Sequence, residues 1–267
     1  MKSVLKPSTV IGTTEVLRFA AAVKTKPLHH VSSMAVFGSP SYLALGRILE
    51  SDPLSDGSGL TVGYFQTKWV AERLVMAARE RGIPASIYRP PQISGHSVTG
   101  ECKLDDLLPL MIRGCIQLGS APSLGSLPLE LMPVDFVSRS IVQLSRNPQL
   151  LGKAFNLVSQ EPITWDQMFE VIRSSGYAIQ QAPYREWLDM LRAAPLENSL
   201  LQMLPFFERL DDNLLKSVPI DSENTRQGLN SNPISYVEPA LVIQRCVDYF
   251  SRIEFIPRPL PRRAQVV

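Results

Sequence analysis

Tyr64 and Lys68 are the two residues of this sequence whose types and spacing point most directly to chemistry. They lie four positions apart in the stretch 63–72, so on a helix both side chains would emerge from the same face. A lysine ammonium beside a phenol favours the phenolate and lowers the pKa of the tyrosine from its usual value of about 10. Such a tyrosine can exchange protons with a substrate near neutral pH. Because this spacing is common by chance, neighbouring segments must decide whether it has a function.

The segments around this pair predict the elements that would position it. Residues 63–81 are predicted to form a helix, which Gly82 and Pro84 end, and residues 85–89 a short strand. The apolar stretch 28–37 predicts a buried strand containing the small residues Ser32 and Ser33. Strand, loop, helix and strand in this order predict a βαβ unit in a parallel sheet. Ligands of such sheets bind at the carboxyl ends of the strands, where Ser33 lies.

The rest of the sequence predicts an α/β protein in which the segments after residue 160 are mostly helical. Before that point a helix begins near Pro7 and a further helix is expected at 104–118. Residues 131–137 lead into another helix that ends near Leu144, and residues 154–158 are expected to form a strand. After it, helices are predicted at 165–175, 184–193, 197–210 and 238–252. We therefore predict two domains: residues 1–160 belong to a Rossmann-type domain, and residues 161–267 form a smaller, mostly helical substrate lobe interleaved with it.

Composition narrows the functional classes. The chain has 267 residues, and its formal charge of +2 gives no reason to expect nucleic-acid binding. Its three cysteines have no metal-ligand spacing and favour free thiols in a reducing compartment, and the three histidines show no such spacing either. No apolar run reaches the length of about 20 residues that a membrane span needs. These features predict a cytoplasmic protein without a metal site and without a membrane partner.

Several motifs together resemble the extended short-chain dehydrogenases/reductases. These are residues 31–38 (VSSMAVFG), Tyr64 with Lys68, and residues 88–90 (YRP). Residues 89–100 (RPPQISGHSVTG) are similar to the strand-end loop of the thioester reductase domains. Those domains lie at the C-terminus of some non-ribosomal peptide and polyketide synthases and also occur in carboxylic acid reductases. The similarity continues to about residue 259.

The resemblance implies a role for each matching residue. Ser33 would donate a hydrogen bond to the oxyanion, Tyr64 would donate the proton, and Lys68 would hold the nicotinamide ribose and lower the pKa of Tyr64. Pro91 departs from the small residue, usually Gly, that the family has at this position. The full set that the resemblance places around the cofactor is Ser32, Tyr64, Lys68, Pro90, Pro91, Gln92 and Ile93.

The activity implied by the resemblance is reduction of a thioester by a nicotinamide cofactor, NADP(H) rather than NAD(H). The substrate would be an acyl or peptidyl group on a phosphopantetheinyl carrier protein, which is the expected partner. The product would be an aldehyde, or an alcohol after a second hydride transfer.

One family feature is missing from the sequence. A glycine-rich turn between the first strand and helix normally binds the pyrophosphate, and no such turn occurs here. Residues 6–13 resemble instead the helix after the fourth strand, with Thr9 where Asn is usual. We therefore expect a partial parallel sheet without its first strands and with an unpaired edge near Val31. A truncated form or fragment with weak cofactor binding is expected, unless an upstream chain supplies the missing half.

Two alternatives remain open at this point. The chain could be a non-catalytic remnant that retains carrier-protein docking, which the missing glycine-rich turn favours. It could also be another extended reductase or epimerase that acts on a free small molecule, although the thioester-reductase-like residues 94–119 speak against that.

Overall fold

The computed structural model describes residues 5–159, 161–209, 218–230 and 232–259. Its strands are β1 Leu28–Val31, β2 Ala85–Arg89, β3 Gln92–Ser94, β4 Ser120–Ser123, β5 Pro128–Leu129, β6 Leu131–Pro133, β7 Ala154–Asn156, β8 Ile163–Thr164 and β9 Gln180–Pro183. Its α-helices are α1 Gly12–Ala21, α2 Gly63–Glu80, α3 Leu107–Leu118, α4 Val134–Ser145, α5 Trp165–Ser174, α6 Tyr184–Arg192, α7 Leu204–Phe207, α8 Glu223–Leu229 and α9 Pro239–Arg252. A π-helical turn, Pro7–Ile11, leads into α1. These elements confirm the predicted α/β class.

The elements form two compact units, each assembled from three stretches of the chain. The first unit comprises Met1–Pro91, Phe136–Val158 and Asp212–Ser235, and the second comprises Gln92–Asp135, Ser159–Asp211 and Tyr236–Val267. These units divide the chain differently from the predicted boundary at residue 160. The assignment of residues 1–160 and 161–267 to two domains stays a prediction.

The first unit contains a three-stranded parallel sheet in the order β1-β2-β7. His30 pairs with Ile87 and Val31 with Tyr88, whereas Arg89 pairs with Asn156 on the other side of β2. The helix α2 connects β1 to β2, as the predicted βαβ unit requires. Because all three strands are parallel, their carboxyl ends lie at the same edge of this sheet.

Helix α2 packs closely because its inner face carries small residues. Gly63, Thr67, Ala71 and Val75 are buried and recur every four positions, which places them in one stripe along the helix. Helix α2 contacts a 3₁₀ turn, Met34–Phe37, that follows β1, and it contacts β2, where Val75 packs with Ala85 and Ile87. The short side chains therefore allow the helix to approach the residues that follow β1.

Strand β1 differs from its prediction in length and burial. It ends at Val31 rather than near Phe37, because Ser33 begins the 3₁₀ turn. Its residues are alternately half-buried and exposed, and the side chain of Val31 is 46% exposed. The expected edge position is confirmed, since β1 pairs only with β2 within the described part of the chain.

The second unit combines helices with short strand pairs. Strands β3 and β6 pair in parallel, as do β4 and β9, whereas β5 and β8 are antiparallel. Its core includes the buried side chains Met111, Ile112, Phe169, Trp187, Ile243 and Phe250. Helix α5 begins with a capping box, in which the Thr164 and Gln167 side chains each accept from the other residue's backbone N–H. Thr164 is therefore the N-cap of α5.

The helix predicted at 197–210 is wrong in extent. Only a 3₁₀ turn, Leu201–Met203, and the single turn α7 are helical there, and residue 210 lies outside the described residues. Pro205 has no N–H and cannot continue a helix from the preceding turn. Helix α8 lies where the sequence pattern predicts no helix. None of the described helices has the length and apolarity needed to cross a membrane.

Candidate active site

Ser33 is fixed at the N-terminus of the 3₁₀ turn that follows β1. Its Oγ accepts a hydrogen bond of 3.2 Å from the backbone N–H of Ala35, the usual role of a serine that caps a helical turn. This bond uses an oxygen lone pair and leaves the hydroxyl hydrogen able to point elsewhere. Ser33 can therefore donate to a substrate oxygen while it stays capped. The neighbouring Ser32 is buried, and its Oγ has no hydrogen-bond partner among the described residues.

Tyr64 and Lys68 lie on the first turns of α2, beside the turn that Ser33 caps. The Tyr64 side chain is 38% exposed, and that of Lys68 is half-buried. The Lys68 ammonium donates to the carbonyl oxygen of Val31 at 3.2 Å, so it lies at the carboxyl end of β1. The structure thus brings the segments of Ser33, Tyr64 and Lys68 together in the first unit.

Burial changes the acidity of two groups in this region. Desolvation lowers the pKa of Lys68, and the negative charge of Glu72 opposes this effect. Desolvation also lowers the pKa of His30 to about 4, with Glu72 acting to raise it and Lys68 to lower it. His30 is therefore neutral at pH 7, and its imidazole lies within electrostatic reach of both Lys68 and Glu72.

Residues 90–93, the loop predicted to contact the nicotinamide, have few backbone groups left to bind a cofactor. The carbonyl oxygen of Pro90 accepts from Met34 N at 2.9 Å, and neither Pro90 nor Pro91 has an N–H to donate. Gln92 N donates to the carbonyl of Glu130 at 3.2 Å, and the Gln92 side-chain amide donates to the Ile93 carbonyl at 3.2 Å. Gln92 and Ile93 lie in β3 of the second unit. Their contact with a cofactor stays a prediction.

A fully buried ion pair, which sequence analysis missed, lies beneath α2. Arg89 Nη2 and Nε donate to one oxygen of Glu72, Oε1, at 2.7 and 2.9 Å, and both side chains are at most 1% exposed. The Arg89 guanidinium also lies over the ring of Phe37, 4.8 Å from its centroid. One feature of the sequence points to Glu72 as part of the site: it follows Tyr64 and Lys68 at the same interval of four residues along the helix.

A second buried carboxylate, Glu50, ties distant segments of the first unit together. It accepts from Asn156 N at 2.8 Å, Asn224 N at 2.5 Å and Thr225 Oγ1 at 2.7 Å. Desolvation raises the pKa of Glu50, and these hydrogen bonds act in the opposite direction. A local sequence pattern could not predict these hydrogen bonds of Glu50, because Glu50 and Thr225 are 175 positions apart.

The residues present fit one end of a nicotinamide dinucleotide. Lys68 and Tyr64 offer an ammonium and a phenol at a strand end, which suits ribose hydroxyls. For the pyrophosphate, no glycine-rich turn joins a strand to a helix within the described ranges, since β1 runs into a 3₁₀ turn. In the same part of the chain, no group of three or more His, Cys, Asp or Glu is placed to hold a metal ion.

Comparison with known protein families identifies this arrangement. Residues 2–141, about half of the chain, match the NAD-binding family described as male sterility protein. The chain belongs to that family. The sequence resemblance to reductase domains within the extended short-chain dehydrogenases/reductases is thereby confirmed at the family level.

Two relatives of this family member are a gramicidin synthase subunit and a nonribosomal peptide synthetase. It is 39% identical over 188 residues to a linear gramicidin synthase of Brevibacillus parabrevis, a match covering 70% of this chain and 4% of that protein. It is 32% identical over 265 residues to the non-canonical nonribosomal peptide synthetase FrzA of a Cladobotryum species, covering 92% and 26%.

A solved structure shares the fold across nearly the whole chain. The terminal R domain from the myxalamid PKS-NRPS biosynthetic pathway superposes with a TM-score of 0.84 at 35% identity, covering 96% of this chain and 65% of that domain. The present chain therefore spans about two-thirds of that domain and at most about a quarter of the two synthetases.

Proposed function

We propose that this chain carries the catalytic residues of an NAD(P)H-dependent reductase that acts on an acyl or peptidyl thioester. The thioester is carried on the phosphopantetheine arm of a carrier protein, and the product is an aldehyde. The observation that carries this proposal is the position of Ser33, which is capped but able to donate, beside the helix that carries Tyr64 and Lys68. The Lys68 ammonium of that helix bonds to the carboxyl end of β1. Membership of the reductase family supports it.

The proposed roles follow from the groups that each side chain offers. The nicotinamide cofactor supplies a hydride when it is bound. Ser33 Oγ–H donates to the carbonyl oxygen of the thioester and stabilises the negative charge that develops there. Tyr64 donates its phenolic proton to the same oxygen, giving a hemithioacetal that collapses to the aldehyde and the free thiol. Lys68 holds the ribose hydroxyls, and its positive charge stabilises the tyrosinate after proton transfer.

The protein itself can be tested with a defined substrate pair. Purified chain is titrated with NADPH and, separately, with NADH while its fluorescence is recorded. It is then given an acyl-pantetheine thioester or the same acyl group on a phosphopantetheinyl carrier protein. We expect NADPH to bind and the aldehyde to form in proportion to cofactor oxidised, faster from the carrier. Capture of the carrier without cofactor binding would refute the proposal in favour of a docking remnant, and reduction of free carbonyl compounds alone would refute the thioester assignment.

A further inference from the structure

The row Tyr64, Lys68 and Glu72 runs from the surface of the first unit into its interior. Tyr64 is 38% exposed, Lys68 is half-buried and Glu72 is completely buried. Residues four positions apart on a helix are neighbours, so Glu72 lies one turn below Lys68. The residue predicted to contact the cofactor is thus followed by a buried carboxylate that the proposed reaction does not use.

His30 faces the same row from β1. It pairs with Ile87, and Arg89, two residues further along β2, points to the same side of the sheet and bonds to Glu72 on α2. The opposite side carries His29, whose Nδ1 lies 2.9 Å from the hydroxyl of Tyr88. His30 therefore points towards α2, under Lys68 and Glu72.

Two buried polar atoms at this place lack a hydrogen-bond partner among the described residues: Glu72 Oε2 and His30 Nε2. Buried polar groups of folded proteins are nearly always satisfied, and ordered water satisfies those that no protein group reaches. A water molecule that donates to the Glu72 oxygen and bonds to the neutral His30 imidazole could also accept from the Lys68 ammonium. It would then have three polar partners, within the range typical of buried water.

We propose that Glu72 is a positioning residue for Lys68: one carboxylate oxygen is held by Arg89, and the other, with a buried water shared with His30, keeps the Lys68 ammonium charged and directed towards the end of β1. Among the described residues, the other charged groups at this cluster are Arg89 from β2 and Arg79 from α2, which interacts electrostatically with both Glu72 and Arg89. Both are cations. Glu72 is the anion among these groups, and its charge favours the charged form of Lys68.

The inference rests on the proposed function for its catalytic consequence, but its central test does not need activity. The pKa of Lys68 is measured by NMR in protein labelled at lysine Cε, with Lys68→Arg used to assign the signal. In Glu72→Gln we expect the Lys68 pKa to fall by about 1 unit or more, because a neighbouring opposite charge is lost. Glu50→Gln is the matched control, since it removes another buried carboxylate of the same unit and should leave the Lys68 pKa unchanged. Equal Lys68 values in wild type and Glu72→Gln would overturn the proposal.

A second measurement covers the case in which Glu72→Gln does not fold. The His30 imidazole is titrated in the wild type and in Lys68→Gln. Loss of the nearby cation should raise the His30 pKa from about 4. An unchanged value would show that the two groups do not share a site and would overturn the proposal.

Where the chain reduces a thioester, the same change has a kinetic signature. The basic limb of the kcat profile should move to lower pH in Glu72→Gln, because Lys68 loses its proton earlier, and the acidic limb should stay in place. A parallel loss of rate at every pH would indicate a structural role only and would contradict the proposal. Absence of all reduction by wild type, with the Lys68 pKa still dependent on Glu72, would contradict the proposed function and leave this inference standing.

Discussion

At the scale of single residues, the site depends on hydroxyl and ammonium groups that are held by bonds to the backbone. Ser33 accepts from Ala35 N, and Lys68 donates to Val31 O. Each bond fixes the side chain while leaving further hydrogens for a ligand. The residue types and the spacing of Tyr64 and Lys68 could be read from the sequence. The capping geometry of Ser33 could not, because it depends on β1 ending at Val31 rather than continuing.

Replacing Tyr64 by Phe tests the assigned proton donor. We expect thioester reduction to fall by about 10²–10⁴-fold, the usual contribution of a positioned acid. The control is Tyr184→Phe, which removes a hydroxyl that donates to the Phe207 carbonyl at 2.7 Å in the second unit. It should lower the melting temperature without a comparable loss of kcat. Full activity in Tyr64→Phe would contradict the proposed role.

Glu130 should give the second unit a measurable dependence of stability on pH. Desolvation raises the pKa of Glu130 to about 7, from an ordinary value near 4.5. Between these values the folded state binds more protons than the unfolded state, so stability falls as pH rises from about 4.5 to 7. Glu130→Gln should therefore be more stable than wild type at pH 8, by about 1–3 kcal/mol.

The measurement is urea unfolding of both proteins at pH 5 and pH 8. The difference in unfolding free energy between variant and wild type should favour the variant more at pH 8 than at pH 5. An unchanged difference at the two pH values would show that Glu130 titrates normally.

At the scale of elements, the stripe of small residues on α2 sets how close the helix lies to the sheet. Ala71 is completely buried, and Val70, beside it, is 37% exposed. Ala71→Leu should overpack this contact and lower the free energy of unfolding by about 1–3 kcal/mol. It should also weaken cofactor binding, since Tyr64 and Lys68 would move with the helix.

The matched variant is Val70→Leu, which adds one methylene group on the exposed face of the same helix. It should change stability by less than about 0.5 kcal/mol. Equal effects of the two variants in thermal unfolding and NADPH titration would contradict the packing argument.

The elements that sequence analysis predicted best are those with a strong local signal. The helix α2 and strand β2 match their predicted positions because a periodic pattern and the stop signals at Gly82 and Pro84 mark them. Strand β1 was predicted too long, because the apolar run continues into a 3₁₀ turn. Helix α8 was missed because its polar sequence is stabilised by contacts to Glu50, 174 or more positions away.

At the scale of the whole chain, each compact unit is built from non-contiguous segments. Residues 224 and 225 supply donors to Glu50, and the side chain of Asn224 also donates to the Ala154 carbonyl at 3.1 Å. A chain cut at residue 160 separates these partners.

Fragments 1–160 and 161–267 should therefore fail to fold separately. We expect thermal unfolding without a cooperative transition and poorly dispersed amide signals for each fragment. The full chain should unfold cooperatively and give well-dispersed amide signals. A cooperative transition in either fragment alone would support the predicted domain boundary at residue 160 instead.

Strand β1 has an open edge within the described ranges, and this has a consequence for how the protein behaves in concentrated solution. Leu28 and Ser32 direct their N–H groups towards β2, so by alternation the N–H and C=O groups of His29 and Val31 face the other way. An uncovered edge strand is a template for pairing with strands of other molecules, and natural proteins often protect such edges with lysine. Lys68, bonded to the Val31 carbonyl, occupies this position. We therefore expect Lys68→Gln to aggregate at a lower protein concentration than wild type, as measured by light scattering, and to lose activity as well.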